Sequence, residues 1–464
     1  MDELAYVYVT ACLIVGYFVI KVATKTFDPF APVWLFLVGY AQVYVVQAIS
    51  YHDYGIRARG LDVVTTANSR ALWAIAWFLF VYEFGFGRSI AAKWPKAPER
   101  WSLGMVGVLS PIMFVWGLAC GIFVARLLAM QASVADVSAE SFILLQFPIM
   151  MLVAGVLLVV TGRNFERPRP ALTAIGLMIC LSYVALWMFN TKRSHSLLGV
   201  LATVCAYYTP RYKRPSFPVL FATALAGALA VGVSIGWRAD RKHERSVFGF
   251  VEYVTEFDPW KVLASLNIEV DDPDAPALAK SVASKETEEW GGYLLMLDTV
   301  PAKSEHDFGA SYIRIVSTFI PRVVWPDKPF YGRDAWISAW MAGSEFKRKP
   351  DFTGPAIGIL GATHLNGGAP ATFIVMGLLG LLLRSAYEYF LRFAHTPWAQ
   401  AWWALTFYNA WFMTVNDDPF VWFYYSYGFM LLPAFVLLWV YNRMSGAGEA
   451  PLRVGPPGRV ELQD

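Results

Sequence analysis

The stretch "PALTAIGLMICLSYVALWMF", residues 170–189, is 20 residues long and carries no charge. At about 1.5 Å of rise per residue, a helix of that length covers about 30 Å, the thickness of a bilayer's hydrocarbon core. The rest of the chain follows the same pattern. Of its 464 residues 57% are hydrophobic, 16% aromatic and only 16% charged, with mean hydropathy +0.44. A soluble chain of this size carries about 25% charged residues, so the expected class is an all-α, polytopic helical membrane protein. Cys12, Cys120, Cys180 and Cys205 all lie inside apolar segments. They read as small hydrophobes, with no disulfide or metal framework.

Working outward from 170–189, apolar runs predict about eleven spans by the same length criterion. They cover 5–22, 29–49, 68–87, 103–128, 141–161, 170–189, 195–209, 217–236, 365–384, 397–415 and 420–441. No basic region precedes the first, so it reads as a span rather than a cleaved signal peptide. The net charge of +3 says little, but its distribution says more. Lys21 and Lys25, then Arg88, Lys93, Lys96 and Arg100, then Arg163, Arg167 and Arg169 fall in alternate loops. Arg211, Lys213 and Arg214, then Arg384 and Arg392, and finally Arg443 continue the set. The positive-inside rule puts these loops in the cytoplasm. The N-terminus is then expected outside and the C-terminus inside. Residues 1–236 form a first transmembrane bundle, 237–364 a large outer segment, 365–441 the last spans and 442–464 a disordered tail. Between Glu252 and Asp307 the outer segment carries 13 acidic against 4 basic residues, and its flanks are basic.

The basic residues that break the rule carry the functional signal. A short outer turn, "FNTKRSHSL", holds Lys192, Arg193 and His195. Arg238, Arg241, Lys242 and Arg245 follow the eighth span, and Arg314, Arg322 and Lys328 precede the ninth. Arginine binds phosphate oxygens with a planar fork and stays charged at any working pH. Cationic groups beside aromatic rings at an outer face suit an anionic lipid, and a lipid diphosphate is the obvious candidate. Arg57 and Arg59 read as snorkelling side chains, and Asp417 and Asp418 as a solvated turn. No Walker, Rossmann, zinc or DxD-like nucleotide-sugar signature appears on the cytoplasmic side, so a nucleotide-sugar donor is not expected, nor a cofactor, metal or nucleic acid.

"FIPRVVWPDKPF", residues 319–330, follows "VPAKSEHDFGASYIRIVST" and precedes "GILGATHLNGGAPATFIVMGLLG". With "NTKRSHSLLGVL", these stretches resemble the oligosaccharide repeat-unit polymerases, the Wzy-like O-antigen polymerase family. The resemblance covers about 185–385, and the Pro-Arg…Trp-Pro-x-Lys-Pro element is its most specific part. Ala362 and His364 stand where the family has Glu and Tyr, which removes any acidic role at 362. The resemblance implies a metal-independent, GT-C-type glycosyltransferase. Such an enzyme joins undecaprenyl-diphosphate-linked oligosaccharides, as donor and acceptor, at the outer face of the bacterial cytoplasmic membrane. A chain-length regulator is a further partner that the resemblance allows.

Catalysis is expected of Arg193, Arg322 and His364. Lys192, His195, Arg238, Arg241, Arg314, Trp325 and Lys328 are expected to contact substrate. Fixed guanidinium groups stabilise a departing diphosphate without a metal. Proline rings stop helix continuation, so "PRVVWPDKP" reads as an irregular segment lining a cavity. The acceptor hydroxyl needs a base, for which His364 beside "NGG", His195 and Asp240 are the candidates. A ligase that moves finished glycan shares this arginine logic. A transporter of lipid-linked oligosaccharide should instead show two related halves.

Overall fold

The apolar runs fold as helices wherever no breaker interrupts them. The computed structural model describes residues 3–129, 147–165, 168–240, 242–258, 289–317, 320, 324–327, 338–339, 356–415 and 431–444. Every regular element among them is helical, and no strand occurs there. In chain order they begin with α1 (Glu3–Ala23), α2 (Pro32–Ala41), α3 (His52–Arg59), α4 (Leu61–Phe84), α5 (Gly87–Lys93) and α6 (Leu103–Ala129). Then come α7 (Ile149–Asn164), α8 (Pro170–Phe189), α9 (Arg193–Tyr208), α10 (Phe217–Ala239) and α11 (Val247–Thr255). The rest are α12 (Glu289–Thr299), α13 (Ala310–Ser317), α14 (Gly358–Phe393), α15 (Pro397–Thr406), α16 (Asn409–Val415) and α17 (Leu432–Met444).

The helices pack into two compact units, each assembled from segments far apart in sequence. Sidedness drew the expected boundaries at 236 and 364; packing divides the chain along other lines. The first unit holds α1–α5, α12, α13, α14 up to Tyr389, and α16. Phe36 on α2 stacks on Phe78 of α4 with ring centroids 3.9 Å apart. A Cβ on Gly39 would lie 2.1 Å from Thr414 Oγ1, so α2 and α16 meet at nearly backbone distance. Small residues permit that approach. Past Ala41, α2 continues through a π-helical stretch, Gln42–Gln47, to Ser50. At one end of this unit Tyr387 donates to Asp28, and Arg88 pairs with Glu388 at 2.9 Å. At the other, Arg59 pairs with Asp298 at 3.2 Å, and Gln47 donates to Glu289 at 2.6 Å.

The second unit holds α6–α11, the end of α14 from Phe390, α15 and α17. Its centre is α7, buried on nearly all sides and flanked by α6 and α8. A Cβ on Gly155 would come within 2.9 Å of the Gly176 carbonyl, so only small residues allow the α7–α8 seam. Asn164 on α7 donates to Gln400 Oε1 of α15 at 2.7 Å, and Gln400 Nε2 donates to the Ala394 carbonyl, so these buried amides are paired. Trp237 at the end of α10 donates to the Phe189 carbonyl at 3.0 Å. That bond holds the C-termini of α8 and α10 together beside the start of α9.

Six described helices are long and apolar enough to cross a membrane, or seven if the 53° bend between α4 and α5 is one span. The six are α1, Pro32–Ser50, α6, α8, α10 and α14. Of the other expected spans, 141–161 is described from 147 and contains the buried 16-residue α7. Residues 195–209 form α9, which is equally short. The run 397–415 breaks between α15 and α16, and 420–441 is described only from 431.

Candidate functional site

In the first unit the site grows from a helix break. Within α14, Gly367 (φ 158°, ψ 28°) and Gly368 (φ 68°, ψ −145°) leave the helix, and Pro370 follows. The Gly368 conformation is closed to residues with a Cβ. A break frees carbonyls that must find donors. The loop before α13 supplies them: His306 Nδ1 donates to the His364 carbonyl at 3.0 Å, and Asp307 N to the Leu365 carbonyl at 2.8 Å. Ser311 donates to Asn366 Oδ1 at 2.6 Å, and Asp307 in turn accepts from Ser311 N at 2.6 Å. Burial lifts the Asp307 carboxyl above its ordinary range, against the lowering effect of the Ser311 bonds.

Arg70, in the third turn of α4, reaches this break. Its Nη1 donates to His364 Nδ1 at 2.6 Å, while His364 Nε2 donates to the Val300 carbonyl at 2.8 Å. A carbonyl only accepts, so Nε2 carries the proton and the Nδ1 lone pair faces the guanidinium. His364 is thus engaged at both nitrogens and fixes Arg70 in place. Arg70 is half-buried and has further N–H donors beyond the one given to His364. The same reasoning sets the His306 tautomer. Its Nδ1 carries the proton, so Nε2 holds the lone pair, and its ring stands 5.7 Å from that of His364.

Ala362 is buried in an apolar cluster with Leu295, Met296, Val300, Ile357 and Leu365. Behind the cluster, Glu289 is 6% exposed; Gln47 donates to its carboxylate and accepts from Trp290 N at 3.1 Å. Gln47 belongs to the π-helical stretch, a deformation often found at functional positions.

In the second unit the short basic turn opens α9. Lys192 is its N-cap, Arg193 its first residue, and its first turn has no acidic side chain. A helix's N-terminal dipole favours anions, so cations here oppose helix stability and favour an anionic ligand. Tyr408 donates to the Ser194 carbonyl at 2.6 Å, and the His195 ring lies 4.3 Å from that of Trp187. Ser194 Oγ is 3.2 Å from His195 Nδ1. Arg238 is exposed in the last turn of α10. Arg245 folds over Trp237, with its guanidinium 4.5 Å from the ring, and donates to the carbonyls of Trp237, Arg238 and Asp240. It caps a helix rather than reaching outward. Asp240, a candidate base, accepts from His243 N and faces its Nδ1 at 3.2 Å.

Of the expected residues, Lys192, Arg193, His195 and Arg238 thus share one end of the second unit, and His364 lies in the first. Trp325 is half-buried, and Arg314 sits on α13 with only its backbone described. Arg241, Arg322 and Lys328 lie outside the described residues, as do Asp417 and Asp418. Arg70, His306, Gln47 and Glu289 were not expected. Arg70 did leave a signal, as the one basic residue in the expected span 68–87, and an ionisable residue in a span marks a functional position by default. No family model matches the chain, nor does any curated protein or solved structure.

Proposed function

We propose that the chain is a lipid-diphosphate-dependent polymerase of oligosaccharide repeat units. In this reading it has about eleven spans in a GT-C-type arrangement, sits in the bacterial cytoplasmic membrane, and has its N-terminus outside. The observation that carries the reading is the Arg70–His364 contact of 2.6 Å beside the glycine break. A guanidinium held in place at the mouth of a broken helix suits a leaving diphosphate, because no reorganisation is needed as charge develops. The family resemblance of 185–385 and the basic N-terminus of α9 point the same way.

In the reaction, the anomeric carbon–oxygen bond to the lipid diphosphate breaks and its electron pair leaves with the diphosphate. The acceptor sugar's hydroxyl oxygen forms the new bond and gives up its proton. Arg70, in the first unit, is assigned to the leaving diphosphate, and Arg193, in the second, to the anionic group of a lipid-linked substrate. His364 positions Arg70, since its lone pair is already occupied. His306 Nε2 takes the proton, as the imidazole lone pair that is left beside the break.

The glycan length distribution in a deletion strain tests this reading. Single repeat units without polymer are expected, with polymer restored by the wild-type chain. Polymer kept on its lipid carrier would mark a ligase instead, and lipid-linked units trapped on the inner face would mark an exporter.

A further inference from the structure

We infer that His243, Glu252 and Glu256 form a binding site for a divalent transition-metal ion where α10 passes into α11, with Asp240 orienting the imidazole. One imidazole nitrogen and two carboxylate oxygens lie within 4.8 Å of one another there. Two exposed acids one helical turn apart would carry no such argument alone; the histidine does. The His243 side chain is only 5% exposed, and its Nε2 is buried without a hydrogen-bond partner. Asp240 Oδ2 lies 3.2 Å from Nδ1 and accepts from His243 N at 2.9 Å, so Nδ1 carries the ring proton. Nε2 lies 3.5 Å from Glu256 Oε2, and in the neutral ring its lone pair then faces a carboxylate lone pair.

A cation between them resolves that opposition. Two ligands each about 2.1 Å from an ion at a tetrahedral angle stand about 3.4 Å apart, close to the observed gap. A carboxylate behind the distal nitrogen is the usual outer-shell support of a metal-bound histidine. One imidazole with two carboxylates suits zinc or manganese; calcium prefers an all-oxygen shell. The present occupant of Glu256 is Lys242, at 2.6 Å, with side chains 69% and 49% exposed. Such an exposed pair is weak and readily displaced. Tyr253 and Trp237 pack around the site, with the Tyr253 ring 5.9 Å from His243. The inference stands apart from the polymerase reading, because its readout is metal binding alone.

Untagged full-length protein in detergent, stripped by chelator and dialysed, would be titrated with Zn²⁺, Mn²⁺ and Ca²⁺, and bound metal counted by elemental analysis. We expect one Zn²⁺ or Mn²⁺ per chain and no stoichiometric Ca²⁺. Asp240→Asn should weaken binding about 10–100-fold, and His243→Ala should abolish it. Because His243→Ala removes a buried ring, the exposed pair Glu252→Gln and Glu256→Gln serves as a second variant, with the same loss expected. Lys242→Ala removes the competitor and should tighten binding. No stoichiometric ion, equal Ca²⁺ binding, or unchanged affinity in the Glu252→Gln, Glu256→Gln protein overturns the proposal; the first of these would leave a proton between His243 and Glu256.

Discussion

Arg70 and Arg193 are both cationic groups suited to a diphosphate, but they are held in opposite ways. Arg70 lies within a helix, half-buried, and is gripped by an imidazole 294 residues away. Arg193 opens a helix whose dipole repels it, beside Lys192. The first kind of site is preorganised, so its charge is in place before substrate arrives. The second is an electrostatic lure that the helix would not keep for its own stability. The pairing teaches that a basic turn announces itself in sequence, while a fixed guanidinium depends on a partner known only from the fold.

Removing each arginine in turn separates the two kinds of site. Arg70→Ala should lower polymer formation by about 10²–10³-fold, the usual cost of losing one preorganised donor. Arg193→Ala should cost about 10²-fold or less, since its charge is shared with Lys192 and the helix N-terminus. Arg193→Lys should recover little if the bidentate fork matters. Full recovery there would make Arg193 a point charge only. Both are read as glycan length in a complemented deletion strain, with expression levels matched.

His364 sharpens the contrast. His364→Asn keeps an acceptor near Arg70 but has no titratable nitrogen, so it separates positioning from proton transfer. Most polymer should survive in His364→Asn and fall about tenfold or more in His306→Gln, which removes the assigned base. The reverse order would return the proton to His364.

Two stability measurements complete the series. Gly368→Ala should cost about 1–3 kcal/mol, because the residue must adopt a conformation open only to glycine. A Cβ there would stand 3.6 Å from the His306 ring, so crowding adds little to the backbone cost. Arg59→Ala should cost less than about 1 kcal/mol, since its pair with Asp298 is partly exposed. Thermal unfolding of purified protein reads both, and a larger loss for Arg59 than for Gly368 would contradict the ranking.

Helix existence was legible because charge-free runs such as 170–189 leave the backbone no other way to satisfy its polar groups in lipid. Span count was less so. Of the expected span 141–161, the described residues begin at 147 and hold the 16-residue helix Ile149–Asn164, so its full length is not fixed by composition alone. "NGG" was legible as a pair of glycines beside His364, but the break it makes in α14 depends on donors from His306 and Asp307, supplied by another segment. Arg245 read as part of a cationic cluster and turned out to cap α10, because its backbone partners precede it by only 5–8 residues. Arg59 read as snorkelling and instead meets Asp298, a partner 239 residues away.

The most direct test uses purified chain in nanodiscs with a synthetic undecaprenyl-diphosphate-linked oligosaccharide as both donor and acceptor. Product length and donor binding would be measured for the wild-type chain and for Arg70→Ala. The wild-type chain should extend the oligosaccharide and release undecaprenyl diphosphate, and Arg70→Ala should bind the lipid weakly and extend it about 10²–10³-fold more slowly. Extension by Arg70→Ala at the wild-type rate would contradict the account, because the leaving diphosphate would then owe nothing to the guanidinium that His364 holds.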